Sequence, residues 1–478
     1  MHACFRLLLA AGLCLWSVVP VRAAQMILVN TNLPGQGLND PTSRAPEGGN
    51  PGTTLGQLRL NVLQAAFDQW GAQLHSEVPI RVQARFVDLF CSADDATLGA
   101  AGALGAAANF PLAPQPNRAY PMALANALAR TDLNPVGDDI QAQFNSLLDT
   151  SAACLGGGGW WYGIDAAVPV PAGKIALLPV VFHELAHGLG FQSLVSTETG
   201  TPFTVEAPRF TDFLFDVEAG LPWSQMSDAQ RLASQVNDPD LVWHGARTNS
   251  SLDARLGLEP RVVVTAPAAI VGAHAAQRAS FGKPVPHEGL TGTIVSADDG
   301  SGSIRDACQP LVNAGAVAGH IALVERGSCD FVVKVSHAQA AGAMAVLVYH
   351  NQASGLPGMG GSSTTLDIPS LGISQALGQA MLAQADVVHL QMHYDPARMA
   401  GTQLLSGSPR VRMHAPSPVE PGASVSHFAP EAFPDLLMEP SLTTRLFNEV
   451  DLTLEVFRDL GWQTEVLLRN GLERAPLQ

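Results

Sequence analysis

The first regular pattern of apolar and polar positions follows a polar, glycine-rich stretch. Thr53 or Thr54 can cap a helix there, because a threonine hydroxyl accepts hydrogen bonds from free N–H groups. Apolar residues then recur at helical spacing, namely Leu60, Leu63, Phe67, Trp70 and Leu74. Apolar and polar residues next alternate over 80–86, which predicts a half-buried strand. A helix over 122–129 and a strand over 160–164 complete a predicted α/β core.

Shorter patterns follow further along the chain. Apolar residues within 210–214 predict another helix, and Ser227 can cap a helix that runs toward Val236. Near the carboxyl end a strand is predicted over 410–415, and Asp451 can cap a last helix. The apolar residues of that helix share one face, namely Leu452, Val456, Phe457 and Leu460.

Between residues 258 and 401 the pattern changes to short apolar strands separated by glycines and alanine-rich helices. Strands are predicted over 321–324, 345–349 and 368–374, and helices over 331–340 and 375–384. Gly342 suits the end of the first of these helices. This alternation predicts a separate α/β domain.

Residues 318–344 of this region read AGHIALVERGSCDFVVKVSHAQAAGAM and resemble the protease-associated (PA) domain. The resemblance rests on a strand, an RGxCxF turn and a helix that ends in AxxAGA. The matching residues are Arg326, Gly327, Cys329, Phe331, Lys334, Ala338, Ala341 and Gly342. Such domains are non-catalytic, so the resemblance implies either a cover that shapes access to a cleft or a receptor for peptides or proteins.

Composition sets the size and the setting of the protein. A chain of 478 residues, 47% hydrophobic and 14% charged, is expected to form two or three compact units. The net charge of −16 argues against nucleic acid or an anionic membrane as a partner. Composition leaves the oligomeric state open.

The amino-terminal residues predict export. Arg6 precedes an apolar run over 7–19, and Val21 with Ala23 makes an acceptable cleavage site, so residues 1–23 are expected to be a signal peptide. The protein is therefore expected to be secreted or periplasmic. No later stretch reaches the roughly 18 apolar residues of a membrane span, so none is expected.

Four of the six cysteines follow the predicted leader. An even number in an oxidising compartment predicts two disulfides, and Cys91 with Cys154 and Cys308 with Cys329 would each lie within one predicted domain. Zinc binding by these cysteines is the alternative, but no pair has the close CxxC spacing.

The strongest chemical signal is HELAHGLGF at residues 183–191. On a helix, His183 and His187 project from one face about 5–6 Å apart, so both imidazoles can bind one metal ion. Glu184 would then lie beside the water on that ion. The helix is expected to begin near Pro179 and to end at Gly190.

A catalytic zinc site has three protein ligands and one open position, so a third ligand is required. The compact metzincin pattern would place a histidine at position 193, but the residue is Ser193. A thermolysin-like peptidase would use a glutamate such as Glu206. Asp216 and His244 are further alternatives.

Residues 424–440 read SVSHFAPEAFPDLLMEP and contain His427 and Met438. With HELAHGLGF, this segment resembles the split arrangement of leishmanolysin-like metzincins, where an insertion separates the helix from the third histidine and the Met-turn. The resemblance implies that His427 is the third zinc ligand and that Met438 packs beneath the metal. An ordinary core methionine is the alternative for Met438.

The resemblances together imply an α+β metzincin-like zinc peptidase domain split by an inserted α/β PA domain. The expected parts are a first catalytic part over 24–257, the PA domain over 258–401, a second catalytic part over 402–462 and a tail over 463–478. The expected activity is hydrolysis of peptides or proteins, with endopeptidase action as the family default and Glu184 as general base. A catalytically inert protein that binds peptides or proteins through the PA domain is the alternative.

Overall fold

The buried side chains form separate hydrophobic clusters in two parts of the chain. The computed structural model describes residues 23–464 except 94, 172, 328, 354, 362, 364, 385–386 and 442–449, so nearly all of the predicted leader and tail lies outside the described residues. One cluster combines side chains from 24–256 and 411–462. Two further clusters lie within 262–392 and use alternate residues of the same strands.

The first cluster is built from short strands and helices on either side of the central segment, defined here as residues 258–401. The elements before it are β1 (Met26–Asn30), α1 (Leu55–Gln73), β2 (Ile80–Val87), β3 (Gly99–Ala103), β4 (Ala106–Ala108), β5 (Arg118–Pro121), α2 (Met122–Ala129), β6 (Ile140–Asn145), α3 (Leu147–Thr150), β7 (Trp160–Trp161), β8 (Ile175–Ala176), α4 (Leu177–Leu189), β9 (Ala207–Pro208), β10 (Leu214–Asp216), β11 (Leu221–Pro222), α5 (Asp228–Ser234), β12 (Leu241–Trp243), α6 (Ala246–Ser250) and α7 (Leu252–Arg255).

The described residues of the central segment form one eight-stranded sheet and three α-helices. Its elements are β13 (Leu258–Ala266), β14 (Gly272–Ala275), β15 (Gln277–Arg278), β16 (Leu290–Ser296), α8 (Ala314–Val317), β17 (Ile321–Glu325), α9 (Phe331–Ala340), β18 (Ala345–Tyr349), β19 (Ser370–Ile373), α10 (Gln375–Leu382) and β20 (His389–Met399). The elements that follow are β21 (Thr402–Leu405), β22 (Ser408–Val411) and α11 (Leu452–Leu460).

A four-stranded sheet in the order β1-β2-β6-β3 supports the first part of the chain. Strands β1, β2 and β6 are parallel, and β3 runs antiparallel to β6 at the edge. Helix α1 joins this sheet to α4, because the indole Nε1 of Trp70 donates to the carbonyl of Phe182 at 3.1 Å and the two rings stack 5.2 Å apart. The side chain of Thr54 caps α1 as predicted.

Helix α4 is buried along all of its 13 residues. Pro179 lies in its first turn, where a missing N–H has no cost. At Gly188 the helix crosses β6 so closely that a Cβ would lie 2.3 Å from Cγ2 of Ile140. Gly190 then ends the helix with a φ of +130°, a conformation that favours glycine.

The central sheet has the strand order β14-β13-β20-β16-β17-β18-β19-β15. Its strands β16 to β19 are parallel. Helix α9 connects β17 to β18, and helix α10 follows β19. The predicted helix over 331–340 and strand over 345–349 have the bounds of α9 and β18. The predicted strand over 321–324 extends to Glu325, and the predicted helix over 375–384 ends at Leu382.

Three predictions outside the central segment were wrong in type or length. Residues 210–214 are not one helix, because a short 3-10 helix, Arg209–Asp212, is followed by β10, which pairs with β11 and β12. The strand predicted over 160–164 has only two residues, and β22 ends at Val411 rather than at 415. Pairing between distant segments decides these bounds, and local patterns do not report it.

The structure contains both predicted disulfides. Cys91 pairs with Cys154 with Cα atoms 5.3 Å apart, and Cys308 pairs with Cys329 with Cα atoms 5.7 Å apart. The first joins segments of the first part of the chain, and the second lies within the central segment. Over the described ranges, none of the helices has the length and apolar character needed to cross a bilayer.

Candidate metal centre

The two histidines of α4 face one point. His183 and His187 are four residues apart on one helical face, and their Nε2 atoms lie 3.2 Å apart. The Nδ1 atom of His183 contacts the carbonyl oxygen of Leu437 at 2.7 Å, and Nδ1 of His187 contacts that of Phe191 at 2.8 Å. In both rings, Nδ1 contacts a backbone carbonyl and Nε2 faces the other histidine.

His427 comes from the far end of the chain and joins the same point. Its Nε2 lies 3.0 Å from Nε2 of His183 and 3.2 Å from Nε2 of His187. Its Nδ1 contacts the carbonyl oxygen of Ala423 at 2.7 Å. The structure thus brings together the three histidines that the sequence pointed to. Within the described part of the chain, they form the one group of three or more His, Cys, Asp or Glu side chains whose ligand atoms meet.

The hydrogen bonds fix the tautomer of each ring. A carbonyl oxygen only accepts, so each Nδ1 must carry the proton and each Nε2 presents a lone pair. Three lone pairs at 3.0–3.2 Å cannot bond to one another, but they can share a cation. Nitrogen ligands of a tetrahedral zinc ion, at about 2.0–2.1 Å from the metal, lie about 3.3 Å apart. The donor set therefore fits a zinc-sized ion.

Burial keeps these imidazoles neutral. Removal from water, with a smaller contribution from the neighbouring imidazole, lowers the pKa of His183 to about 3, and burial lowers the pKa of His187 to about 4. Burial and the other two imidazoles also hold the pKa of His427 well below its usual value. Neutral imidazoles are the form that binds a metal, so protons compete weakly at this site.

These pKa shifts predict a pH-dependent stability of the metal-free protein. Because the folded pKa of His183 lies below its unfolded value, protons favour the unfolded chain as the pH falls below about 6.5, which costs about 2 kcal/mol for this residue at pH 5. Urea unfolding of the chelator-treated protein at pH 7 and pH 5 should show this cost, and His183→Asn should lack it. The opposite contribution of Glu184 is common to both proteins and cancels. Equal pH dependence in the two proteins would contradict this prediction.

Glu184 follows His183 in α4, and its side chain lies against the edge strand β3. The backbone of Ala101 in β3 donates a hydrogen bond to its carboxylate, and burial raises its pKa to about 8. Gly99 permits the close approach, because a Cβ there would lie 2.8 Å from Cγ of Glu184. Sequence analysis missed β3, since its residues GAAGA show no alternation of apolar and polar side chains.

The segment around Leu437 and Met438 contacts the histidine group. The carbonyl of Leu437 binds His183, and the carbonyl of Met438 accepts a hydrogen bond from the backbone N–H of Phe428 at 2.7 Å. Met438 is fully buried. The carboxylate of Asp451 accepts a hydrogen bond from the N–H of Leu437 and also caps α11. Helix α11 is therefore connected to the segment that contacts His183.

The alternative third ligands lie in other surroundings. The carboxylate of Glu206 faces the amide of Asn109 at 3.5 Å, and that of Asp216 accepts from the amide of Asn237. The ring of His244 stacks on Phe215. None of the three belongs to the group formed by the histidines.

Comparison with known proteins identifies one part of the chain. Residues 290–381, from β16 to α10, match the PA domain family. The chain is therefore a mixed α/β protein that contains a PA domain, as the sequence predicted for this region.

Several curated proteins share limited similarity with the chain. Signal peptide peptidase-like 2 of Arabidopsis thaliana is 37% identical over 102 residues, which are 20% of this chain and 18% of that protein. Vacuolar-sorting receptor 1 of Pisum sativum is 34% identical over 109 residues, 23% of this chain and 18% of that protein. Aminopeptidase YwaD of Bacillus subtilis (strain 168) is 33% identical over 111 residues, 23% of each chain. The chain thus spans about a fifth of the length of these relatives.

Among solved structures, the zinc aminopeptidase BSAP from Bacillus subtilis matches 32% of this chain and 37% of its own, with 23% identity and a TM-score of 0.22.

Proposed function

We propose that the protein is a zinc metallopeptidase whose metal is held by His183, His187 and His427. The observation that carries the proposal is the convergence of three Nε2 lone pairs within 3.2 Å, with the buried residue Glu184 next to His183 in α4. Three imidazoles with an open fourth position are a typical ligand set for catalytic zinc. The carbonyl partners of the three Nδ1 atoms orient the rings and make them better ligands.

Glu184 is the proposed general base. When bound, zinc lowers the pKa of a water molecule to about 7 and polarises the carbonyl of the peptide bond. The pKa of about 8 belongs to the metal-free site, and the positive charge of a bound metal ion would keep Glu184 ionised. Its carboxylate then takes a proton from the attacking water as the new C–O bond forms. It then delivers that proton to the amide nitrogen as the C–N bond breaks. The hydrogen bond from Ala101 holds its carboxylate in position.

The geometry supports the leishmanolysin-like metzincin type. His427 follows His187 by 240 positions. The carbonyl of Leu437 contacts His183, and the carbonyl of Met438 contacts Phe428, the residue after His427. The separate hydrophobic clusters support an inserted domain over 258–401 between catalytic parts over 24–257 and 402–462. Met438 then has the structural role of the Met-turn residue.

Strand β3 supports endopeptidase action on extended peptides. It is an edge strand, and an extended chain can add to such an edge through backbone hydrogen bonds. Because β3 passes over Glu184, a peptide bound there would run through the site rather than end in it. The two disulfides support the proposed export to an oxidising compartment.

Metal analysis combined with a cleavage assay tests the proposal. We expect the purified protein to hold about one zinc ion per chain, to cleave casein, to lose this activity in a chelator and to regain it with zinc. A protein that holds zinc but cleaves nothing would favour the inert peptide-binding alternative. A protein that holds no metal would refute the proposed site.

Gly99→Ala tests the contact between β3 and Glu184. The new Cβ would lie 2.8 Å from Cγ of Glu184 and must displace the carboxyl group. We expect casein cleavage to fall by about 100-fold, since small misplacements of a catalytic group have effects of this size. Zinc content should not change.

Gly102→Ala is the matched control for this substitution. A Cβ at Gly102 would lie 3.1 Å from Oε1 of Gln192, the end of a flexible side chain. This variant should keep most of the activity. Equal loss in both variants would show that β3 tolerates neither added methyl group, and not that Gly99 serves Glu184 in particular.

A further inference from the structure

The segment that carries His427 is fixed on its inner side by the first part of the chain. This segment, residues 426–434, is called the third-histidine loop below. The N–H of Ser193 donates to Oγ of Ser426 at 3.2 Å, and the ring of Phe428 packs against Phe191 with centroids 5.0 Å apart. Position 193 is where the compact metzincin pattern has its third histidine. In this chain, the backbone of Ser193 instead contacts the loop that carries His427.

On its outer side, the third-histidine loop contacts β15 of the central segment. The amide Nε2 of Gln277 donates to the carbonyl of Pro430 at 2.5 Å. The guanidinium of Arg278 lies over the ring of Phe433, 4.3 Å from its centroid. Strand β15 pairs with β19 at the edge of the central sheet, and β19 lies within the PA domain match. Strand β15 therefore links the PA domain to the third-histidine loop.

The third-histidine loop also contacts the junction between the central segment and the part of the chain that follows it. The N–H of Ala429 donates to the carbonyl of Arg412, whose own N–H donates to the carbonyl of Gly401. The guanidinium of Arg412 pairs with Asp238 and Glu431.

A cavity of about 360 Å³ opens beside these ion pairs. Residues of both parts of the chain line it, among them Asp238, Arg261, Arg398, Gln403, Arg412 and Glu431. The central segment and the rest of the chain are therefore not tightly packed around this cavity. The contact of Gln277 with Pro430 and the contact of Arg278 with Phe433 involve none of the residues of these ion pairs.

We propose that β15 of the central segment positions His427, with Gln277 and Arg278 as positioning residues that set the zinc affinity of the site. This inference rests on the proposed function, because it concerns the same metal centre. The first part of the chain supplies two ligands on a rigid, buried helix, whereas the third lies on a loop. A loop ligand needs external support to stay within bonding distance of the ion. Backbone hydrogen bonds from His414 to His427 and from Gly257 to Phe433 supply part of that support. Gln277 and Arg278 add to it from the central segment, at Pro430 and Phe433.

The test compares zinc affinity in wild-type protein and in the double variant Gln277→Ala, Arg278→Ala. Alanine keeps the backbone pairing of β15 with β19 and removes both contacts with the loop. Competition with a chromophoric chelator should show zinc binding weakened about 10- to 100-fold, the usual effect of losing outer partners of a ligand. The absorption spectrum of the cobalt-substituted protein should also change, because His427 would bind with altered geometry.

Two matched variants separate positioning from general damage. Arg278→Lys keeps a cation over Phe433 and should bind zinc nearly as tightly as wild type. Arg305→Ala removes an exposed arginine elsewhere in the central segment and should change nothing. If the double variant does not fold, Phe433→Leu makes the same test from the loop side, since it removes the aromatic face and keeps most of the apolar volume.

Wild-type zinc affinity in the folded double variant, or in Phe433→Leu where the double variant does not fold, would overturn this inference and leave the proposed function intact. A wild-type protein without zinc would overturn the proposed function, and this inference with it.

Discussion

Replacing Glu184 with glutamine is expected to reduce casein cleavage by about 10²- to 10⁴-fold, the range for loss of a general base. Glutamine has nearly the same shape and keeps an oxygen that can accept the hydrogen bond from Ala101, but its amide cannot take a proton from water. The three imidazoles are unchanged, so zinc content should remain near that of the wild type. Initial rates and metal content, measured on the same preparation, check both parts.

Glu206→Gln is the control for this experiment. Glu206 is the glutamate that a thermolysin-like arrangement would use, and its carboxylate faces Asn109 instead of the histidines. The control should keep both zinc and activity. Undiminished cleavage by Glu184→Gln would remove the proposed base from the mechanism.

Replacing His427 with alanine is expected to remove both zinc and activity. The loss leaves two imidazoles four residues apart and opens a gap at Nε2, which lies 3.0 and 3.2 Å from its neighbours. Zinc affinity should fall by well over the roughly 100-fold that loss of an outer partner costs. Metal analysis after dialysis against a weak chelator measures this effect.

His244→Ala is the matched histidine control. His244 was an alternative third ligand, and its ring stacks on Phe215 away from the metal centre. This variant should retain one zinc ion per chain. If His427→Ala keeps its zinc and His244→Ala does not, the ligand set proposed here is wrong.

The helices and their ends were largely predictable from the sequence, because local chemistry determines them. Thr54, Ser227 and Asp451 accept hydrogen bonds from helical N–H groups as their side chains suggested. The i, i+4 spacing of His183 and His187 likewise needed only helical geometry. His427 was different, because only resemblance to a family connected it with the other two histidines.

What the sequence did not predict depends on contacts between distant segments. Strand β3 consists of glycine and alanine, so its position over Glu184 left no pattern in the chain. The carbonyl groups of Leu437, Phe191 and Ala423 hold the imidazoles, and a backbone carbonyl is present at every residue whatever its side chain. The contact of Gln277 with Pro430 is also invisible without the fold.

The 240 residues between His187 and His427 delay assembly of the centre during synthesis. At about 5–20 residues per second, a ribosome needs roughly 10–50 seconds to make them. Throughout that interval the nascent chain has only two of the three proposed metal ligands. The proposed peptidase would therefore be inactive in the cell until the ribosome has made His427.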